Sequence, residues 1–378
     1  MIIIHLLNSL TVGGIEKVVI DLSNGLENEK NKVYIITLSN SDFTLQPLLN
    51  KNIEVISLPY NCNSFKGLIQ FWLTGIRKLV KIINRIKPTI VHTHSYYHYF
   101  LFLSICLKFA KIKPELFRTV HTSGLFYSSN KIIDRFRRKI ETLALKIYPA
   151  KYISISKTIF KNNKRFFGKY LIDNRYIPNG IDETKFIKSN KKNELKDFFG
   201  FKNSTSIVSY VSRLDVGKNH FCLIDAWEKV INEFPDSQLC LAGDGILNKE
   251  LKSYAQNKNL LKSVTFLGSI KNVNELLSIT DIAVFPSEFE GFPISLLEKM
   301  YMKLPVITSD IDIFKEIITD NVDGIICRLK DSGDYASKII LLLKNKTLRE
   351  TIAENGHITA EKYKISEIVK QTLKYYED

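Results

Sequence analysis

Short apolar runs rich in Ile, Val and Tyr alternate with segments of helical period along the whole 378-residue chain. IIIHLL (2–7), VYIITL (33–38), IEVISL (53–58), TIVHTH (89–94), LFRTVH (116–121) and YISIS (152–156) read as strands with helices between them. After IPNGI (177–181) and a polar, Lys-rich stretch (188–197) the alternation restarts with IVSYVS (207–212), QLCLAGD (238–244), VTFLG (264–268), IAVFPS (282–287), PVIT (305–308) and GIICR (324–328). Near-continuous apolar strands separated by helices predict parallel sheets covered on both faces. Two such sets predict two doubly wound α/β domains. Amphipathic helices fill about 331–376, and the last is expected to cross back to the first domain.

The composition, 45% apolar and 11% aromatic, excludes a disordered chain, and the length suits two domains with separate cores. The five cysteines, Cys62, Cys106, Cys222, Cys240 and Cys327, are widely spaced and form no C-x-x-C pair, which argues for a reducing compartment. MIIIHLLNSL enters a strand without the pattern of a secretory leader, so the expected location is cytoplasmic. Charge divides the chain. Residues 1–190 hold 29 Lys and Arg against 12 Asp and Glu, and residues 191–378 hold 25 against 27. Within 131–165 stand 11 basic and two acidic residues, a cluster suited to a phosphate-rich surface or to a solvated helix face. Ile132, Ile133, Phe136, Ile140, Leu143, Ala144 and Ile147 recur at helical spacing beside it; this stripe is expected to pack on the core. YYHYFLFLSICL (96–107) is too short to span a bilayer, which takes roughly 20 residues, and reads as a buried helix. The stripe beside the basic face, and the run 96–107 if it instead dips into lipid, favour an anionic membrane at the inner face of the cell envelope as the partner of the basic cluster, and no nucleic-acid motif is present.

In folds of this class ligands bind beyond the carboxyl ends of the strands. The first such loop, NSLTVGGIEK, puts Gly13 and Gly14 at a helix start, where a phosphate or sugar can approach the backbone, or where the chain simply turns. It lacks the G-x-G-x-x-G fingerprint. In VSRLDVGKNH, Arg213 and Lys218 can clamp a diphosphate, or can be surface cations. PSEFEGFPISLLEKM places Glu290 in a loop and Glu298 inside the next helix. They stand too far apart for a retaining glycosidase pair, which wants about 5 to 5.5 Å, and suit hydrogen bonds to two polyols. The amides of Gly291, Phe292, Ile294 and Ser295 can receive a phosphate; Pro293 has none. His121 ends a strand. His92 and His94 share a strand face near His98, but no carboxylate completes a metal set, and no metal is expected.

With these residues in place the chain resembles the retaining glycosyltransferases of family four, which have the GT-B fold of two Rossmann-like domains with a cleft between them. The resemblance rests on VGGIEK, TVHT, ISISK (153–157), IPNGID (177–182), SRLDVGKNH, LAGDG (241–245), VTFLGSI (264–270), EGFPISLLE and PVITSDI (305–311), all in the family's order. It implies an acceptor-binding domain over 1–183, a donor-binding domain over 184–360 and a terminal helix, 361–378, packed on the first. The implied activity is transfer of a sugar from a UDP- or GDP-sugar to an acceptor hydroxyl with the anomeric configuration kept and without a metal. The implied setting is bacterial surface polysaccharide synthesis on a lipid-linked acceptor. Carried over residue by residue, Arg213 and Lys218 would hold the donor diphosphate, Glu290 the sugar hydroxyls and Glu298 the ribose. Gly268, Ser269 and Ile270 would meet the base, Gly243 and the 291–295 segment would line the donor site, and His121 and Gly14 would face the reaction centre. Pro293 stands where one common variant has glycine, and SDID (309–312) lacks a Gly-Gly, which leaves the donor sugar open. A sugar-nucleotide epimerase of the same fold and a non-catalytic sugar-nucleotide-binding subunit are the competing readings.

Overall fold

The computed structural model describes residues 1–11, 13–39, 44–60, 65–121 and 131–378. Val12 of VGGIEK, Cys62 and Thr122 of TVHT lie outside them. The chain divides into two compact units, Met1–Gly180 with Ile365–Asp378, and Ile181–Lys364.

In the first unit seven parallel strands, β1 (Ile2–Leu7), β2 (Lys32–Thr37), β3 (Glu54–Ser57), β4 (Ile90–Thr93), β5 (Glu115–Val120), β6 (Lys151–Ser154) and β7 (Asp173–Tyr176), lie in the order 3-2-1-4-5-6-7. Among the described residues five α-helices connect them: α1 (Gly14–Asn28), α2 (Phe65–Ile86), α3 (Tyr97–Phe109), α4 (Lys131–Ile147) and α5 (Lys157–Phe167). α1 buries Val18, Val19, Leu22 and Leu26 at helical spacing, whereas α3 is apolar nearly all round and buries Phe100, Phe102, Leu103, Cys106 and Leu107. β7 was not among the expected strands. Its sequence, DNRY, carries no apolar run because it is an edge strand, half-buried, with Arg175 paired to Asp378 at 2.5 Å.

The second unit opens with α6 (Lys192–Phe198) and repeats the plan with six strands: β8 (Ser206–Val211), β9 (Ser237–Ala242), β10 (Val264–Gly268), β11 (Ile282–Phe285), β12 (Val306–Ser309) and β13 (Ile325–Cys327), ordered 10-9-8-11-12-13. Its remaining helices are α7 (His220–Glu233), α8 (Asn248–Asn257), α9 (Val273–Ile279), α10 (Ile294–Tyr301), α11 (Asp312–Ile317), α12 (Ser332–Lys344) and α13 (Lys346–Glu361). Asp331 starts α12 by accepting the amide of Asp334, a side-chain cap worth about 1 kcal/mol. The core gathers Val208, Trp227, Leu239, Val284, Leu297 and Ile307 at or near zero exposure. α14 (Ile365–Glu377) then belongs to the first unit, where it packs beside α1 and buries Ile368, Val369, Tyr375 and Tyr376. Burial of each such side chain contributes roughly 1.5–3 kcal/mol.

The expectation for α4 is corrected. Ile132, Ile133, Phe136 and Leu143 are exposed, while Asp134, Glu141, Ala144 and Leu145 are buried. The cause is Arg118 on β5, fully buried, which needs a counter-charge: its Nη2 donates to Glu141 Oε2 at 3.2 Å and its Nε to Oε1, which also accepts from the Tyr152 hydroxyl. A helix turned to bring Glu141 inward cannot also bury its apolar stripe. The four described cysteines are buried and unpaired, and among the described residues no helix is long and apolar enough to cross a membrane.

Candidate functional site

Both sheets reverse their winding between two central strands, β1 and β4 in the first unit and β8 and β11 in the second. Crevices form at such points because the connections leave in opposite directions.

In the second unit the segments after β8 and β11 carry Lys218 and Glu290. Lys218 Nζ donates to Glu290 Oε1 at 2.5 Å, and Ser287 Oγ donates to the same oxygen at 2.8 Å. Ser287 is itself fixed. Its hydroxyl lies 3.0 Å from the Tyr210 hydroxyl, and its carbonyl accepts from Ser309 at the end of β12. Burial pushes the Tyr210 hydroxyl well up, which keeps it neutral, with its one proton shared between Ser287 Oγ and the Lys218 carbonyl at 3.2 Å. The side chains of Lys218 and Glu290 are each 19% exposed, so they are reachable yet shielded. Glu290 Oε2 has no partner among the described residues and can accept from a ligand hydroxyl.

Arg213 is not brought to Lys218. It is 78% exposed and pairs with Asp215 at 3.2 Å, because a turn held by the Asp215 amide on the Arg213 carbonyl and the Lys218 amide on the Asp215 carbonyl sends the two cations to different carboxylates. Gly243, at φ 134°, donates its amide to the Gly268 carbonyl at 2.8 Å, and a Cβ there would lie 1.9 Å from the Ser212 carbonyl oxygen. Glycine thus draws the ends of β8, β9 and β10 together at backbone contact. Gly268 closes β10, with Ser269 exposed and Ile270 half-buried beside it. At the start of α10 the Ile294 amide is engaged by the Phe292 carbonyl at 3.0 Å, which narrows the expected donors to Gly291, Phe292 and Ser295 around buried Pro293. Glu298 is buried in the second turn of α10, 3.6 Å from Lys299 Nζ.

In the first unit the equivalent crevice is built from uncharged imidazoles. His5 on β1 is in register with His92 on β4, and His94 follows on the same face. His94 Nε2 lies 3.0 Å from His5 Nδ1, and His94 Nδ1 lies 3.0 Å from Nε2 of His121, which follows β5. His92 is bound on both sides, to the Tyr376 hydroxyl at 2.6 Å and to Thr119 at 2.7 Å. Burial pushes His5 and His121 down to about 3, with the Arg118 charge adding to the effect at His121, and drives His92 and His94 well below the ordinary range. His98 is not part of this cluster; it sits in α3 against Tyr96, Tyr97 and Tyr99. Nitrogens of His5, His92 and His94 lie within 4.8 Å of one another, with no carboxylate in the set. Asn8, Glu16, Tyr96, Arg118 and His121 line a recess at this edge. Gly14, the first residue of α1, has open space around its Cα, and burial raises the neighbouring Glu16 carboxyl.

The pattern of the chain pointed to Lys218, Glu290 and His121 because each follows a strand. It did not point to Ser287, Tyr210, His5 or Glu16 as site residues. Ser287 alone carried a signal, as the polar end of IAVFPS.

The sequence model of the family "Glycosyl transferases group 1" matches residues 191–358, and that of "Glycosyltransferase Family 4" matches residues 12–185. The chain is 28% identical over 345 residues to UDP-Gal:alpha-D-GlcNAc-diphosphoundecaprenol alpha-1,3-galactosyltransferase of Escherichia coli, covering 89% of this chain and 86% of that one. It is 26% identical over 374 residues to alpha-monoglucosyldiacylglycerol synthase of Acholeplasma laidlawii, covering 93% and 90%. Among solved structures, HepE of Anabaena in complex with UDP superposes with a TM-score of 0.83 over the full length of both chains at 19% identity.

Proposed function

This chain belongs to the GT-B glycosyltransferases of the family-four type, and on that premise we propose that it moves a sugar from a UDP-sugar to a lipid-linked acceptor with the anomeric configuration kept. The observation that carries the donor site is the Lys218–Glu290 pair, held by Ser287 where the second sheet reverses. A diphosphate seated beside Lys218 meets a cation already oriented, so little reorganisation is needed as charge develops on it. Arg213 is free to swing because its exposed ion pair contributes little. The amides of Gly291, Phe292 and Ser295 at the start of α10 add donors to a phosphate oxygen. Glu290 Oε2 takes hydroxyls of the sugar and Glu298 the ribose, while Gly243 and the 268–270 segment admit the base. UDP is favoured over GDP because the E. coli relative is named for UDP-Gal and HepE holds UDP.

In the reaction the bond from the anomeric carbon to the diphosphate oxygen breaks. The acceptor oxygen bonds to that carbon from the same face, and the acceptor proton passes to the departing diphosphate. Lys218, Arg213 and the α10 amides stabilise that leaving group, and no metal is required for the role. His121 and Gly14 serve the acceptor side in the first unit.

The acceptor is proposed to be lipid-linked, in keeping with the diphosphoundecaprenol and diacylglycerol in the relatives' names, and to serve surface polysaccharide synthesis. α4 supports docking at an anionic leaflet: Phe136 and Leu143 are exposed beside Arg135, Arg138, Lys139 and Lys146. The test is incubation with UDP-glucose, UDP-galactose and GDP-mannose in EDTA, with and without an undecaprenyl-diphosphate-linked sugar. Acceptor-dependent UDP release with an α-linked product is expected. Epimerised or hydrolysed donor at equal rates without acceptor would reject the transferase reading in favour of the epimerase.

A further inference from the structure

Each ring nitrogen of His94 has one partner, His5 on one side and His121 on the other, both at 3.0 Å. A neutral imidazole carries one N–H and one lone pair, so each nitrogen-to-nitrogen bond needs a donor on one side and an acceptor on the other. Extra charge is opposed by burial and by the buried Arg118 nearby. Three neutral rings joined by two such bonds have only two arrangements. In one, all three protons sit on Nδ1: His5 donates to His94, His94 donates to His121, and His121 is left with an Nδ1–H. In the other, all three sit on Nε2 and every bond runs the opposite way.

The far end of the chain decides between them. His5 Nε2 is buried and has no partner among the described residues. In the first arrangement this atom is a bare lone pair; in the second it is an N–H with nothing to donate to. Orphaned buried donors are the rarer and costlier defect. We infer that His5 and His94 are positioning residues that lock His121 as an Nδ1–H donor at the half-buried end of the chain. His121 is therefore a fixed hydrogen-bond donor to a hydroxyl or phosphate oxygen and not a base. The chain is also no proton wire, because it ends at His5 Nε2, a buried nitrogen with no hydrogen-bond partner among the described residues. His92, which packs its ring 4.1 Å from that of His94, takes no part, since Tyr376 and Thr119 engage both its nitrogens.

What His121 donates to rests on the transferase reading; its tautomer does not, and can be measured with no substrate present. The experiment is 15N NMR of the full chain labelled at histidine. Protons on Nδ1 of His5, His94 and His121 are expected, the tautomer that free histidine in water disfavours. The variant His5→Asp replaces the donor by an acceptor and is expected to reverse the chain, moving the His121 proton to Nε2 and lowering kcat about tenfold or more, with UDP binding changed less than twofold. His5→Asn, whose amide keeps a donor near the Nδ1 position, is expected to retain the wild-type tautomers and restore most of the turnover. Wild-type His121 protonated on Nε2 overturns the inference, and so does replacement of the N–H pattern by zinc-bound signals when equimolar Zn(II) is added. If His5→Asp does not fold, the wild-type spectrum and His5→Asn still decide. Wild-type Nδ1–H signals in a protein that transfers no sugar would support the tautomer assignment and reject the reaction reading.

Discussion

The β1–β4 reversal of the first unit and the β8–β11 reversal of the second occupy equivalent places in sheets of the same strand order, yet one gathers neutral imidazoles and the other an ion pair. In the first, the polar groups face one another: His5 and His94 are buried, and His94 and the half-buried His121 line the recess. In the second, Lys218 and Glu290 remain one-fifth exposed and retain unused bonding capacity, such as Glu290 Oε2. The shared architecture supplies a crevice, and the residues at the strand ends decide whether it binds charge or directs a neutral hydrogen bond. Net charge follows a different division. The first 190 residues hold a surplus of 17 basic residues, and α4 displays several of them, Arg135, Arg138, Lys139 and Lys146, around one surface recess.

Acidification should separate the units most. Each buried histidine has a folded-state pKa below its unfolded value, so its stability contribution is complete above about pH 6.5. It falls as the pH drops through that value, and for His5 and His121 it continues to fall toward about 3, by roughly 1.4 kcal/mol per pH unit for each of these two. The first unit has four such groups in one cluster, His5, His92, His94 and His121, while among the described residues the second has His220, lowered to about 4. Hydrogen exchange at pH 5.5 and 7.5, corrected for intrinsic rate, should show protection lost first in β1, β4 and β5. Equal loss in β8 and β11 would remove the contrast.

Lys218→Ala should lower turnover by about 10²–10³ and change the melting temperature little, since a partly exposed ion pair is screened by solvent. A smaller effect, roughly fivefold in kcat or about 1 kcal/mol, is expected of Tyr210→Phe, which frees Ser287 to turn away from Glu290. Full activity in Tyr210→Phe would show that Ser287 needs no support. The weakest expected effect is on membrane docking. Replacing Arg135, Arg138 or Lys139 singly by Gln should reduce sedimentation with phosphatidylglycerol vesicles by about 1 kcal/mol each and leave binding to phosphatidylcholine unchanged; identical losses on both lipids would exclude an electrostatic surface.

Much of this organisation was legible in the chain, for identifiable reasons. Parallel strands buried on both faces leave continuous apolar runs, so both sheets could be read, and the residues following each run pointed to Lys218, Glu290 and His121. β7 escaped because an edge strand such as DNRY needs no apolar face. α4 was placed correctly but turned the wrong way: periodicity shows that a helix has an apolar stripe, whereas Glu141 facing inward depends on Arg118, 23 residues earlier on β5. His5 looked like any strand residue because its partner, His94, is 89 positions away and is set by sheet register. Arg213 and Lys218 looked like a pair by spacing, and the turn at Asp215 parts them.

On the proposed reading the donor is held by the ion-pair crevice of the second unit, and the imidazole chain of the first acts on turnover. Calorimetric titration of UDP in EDTA into the wild type, Lys218→Ala and His5→Asp tests it directly. Binding to the wild type is expected, weakened about 100-fold by Lys218→Ala and changed less than twofold by His5→Asp. Unaltered binding to Lys218→Ala, or loss of UDP binding in folded His5→Asp, would contradict it.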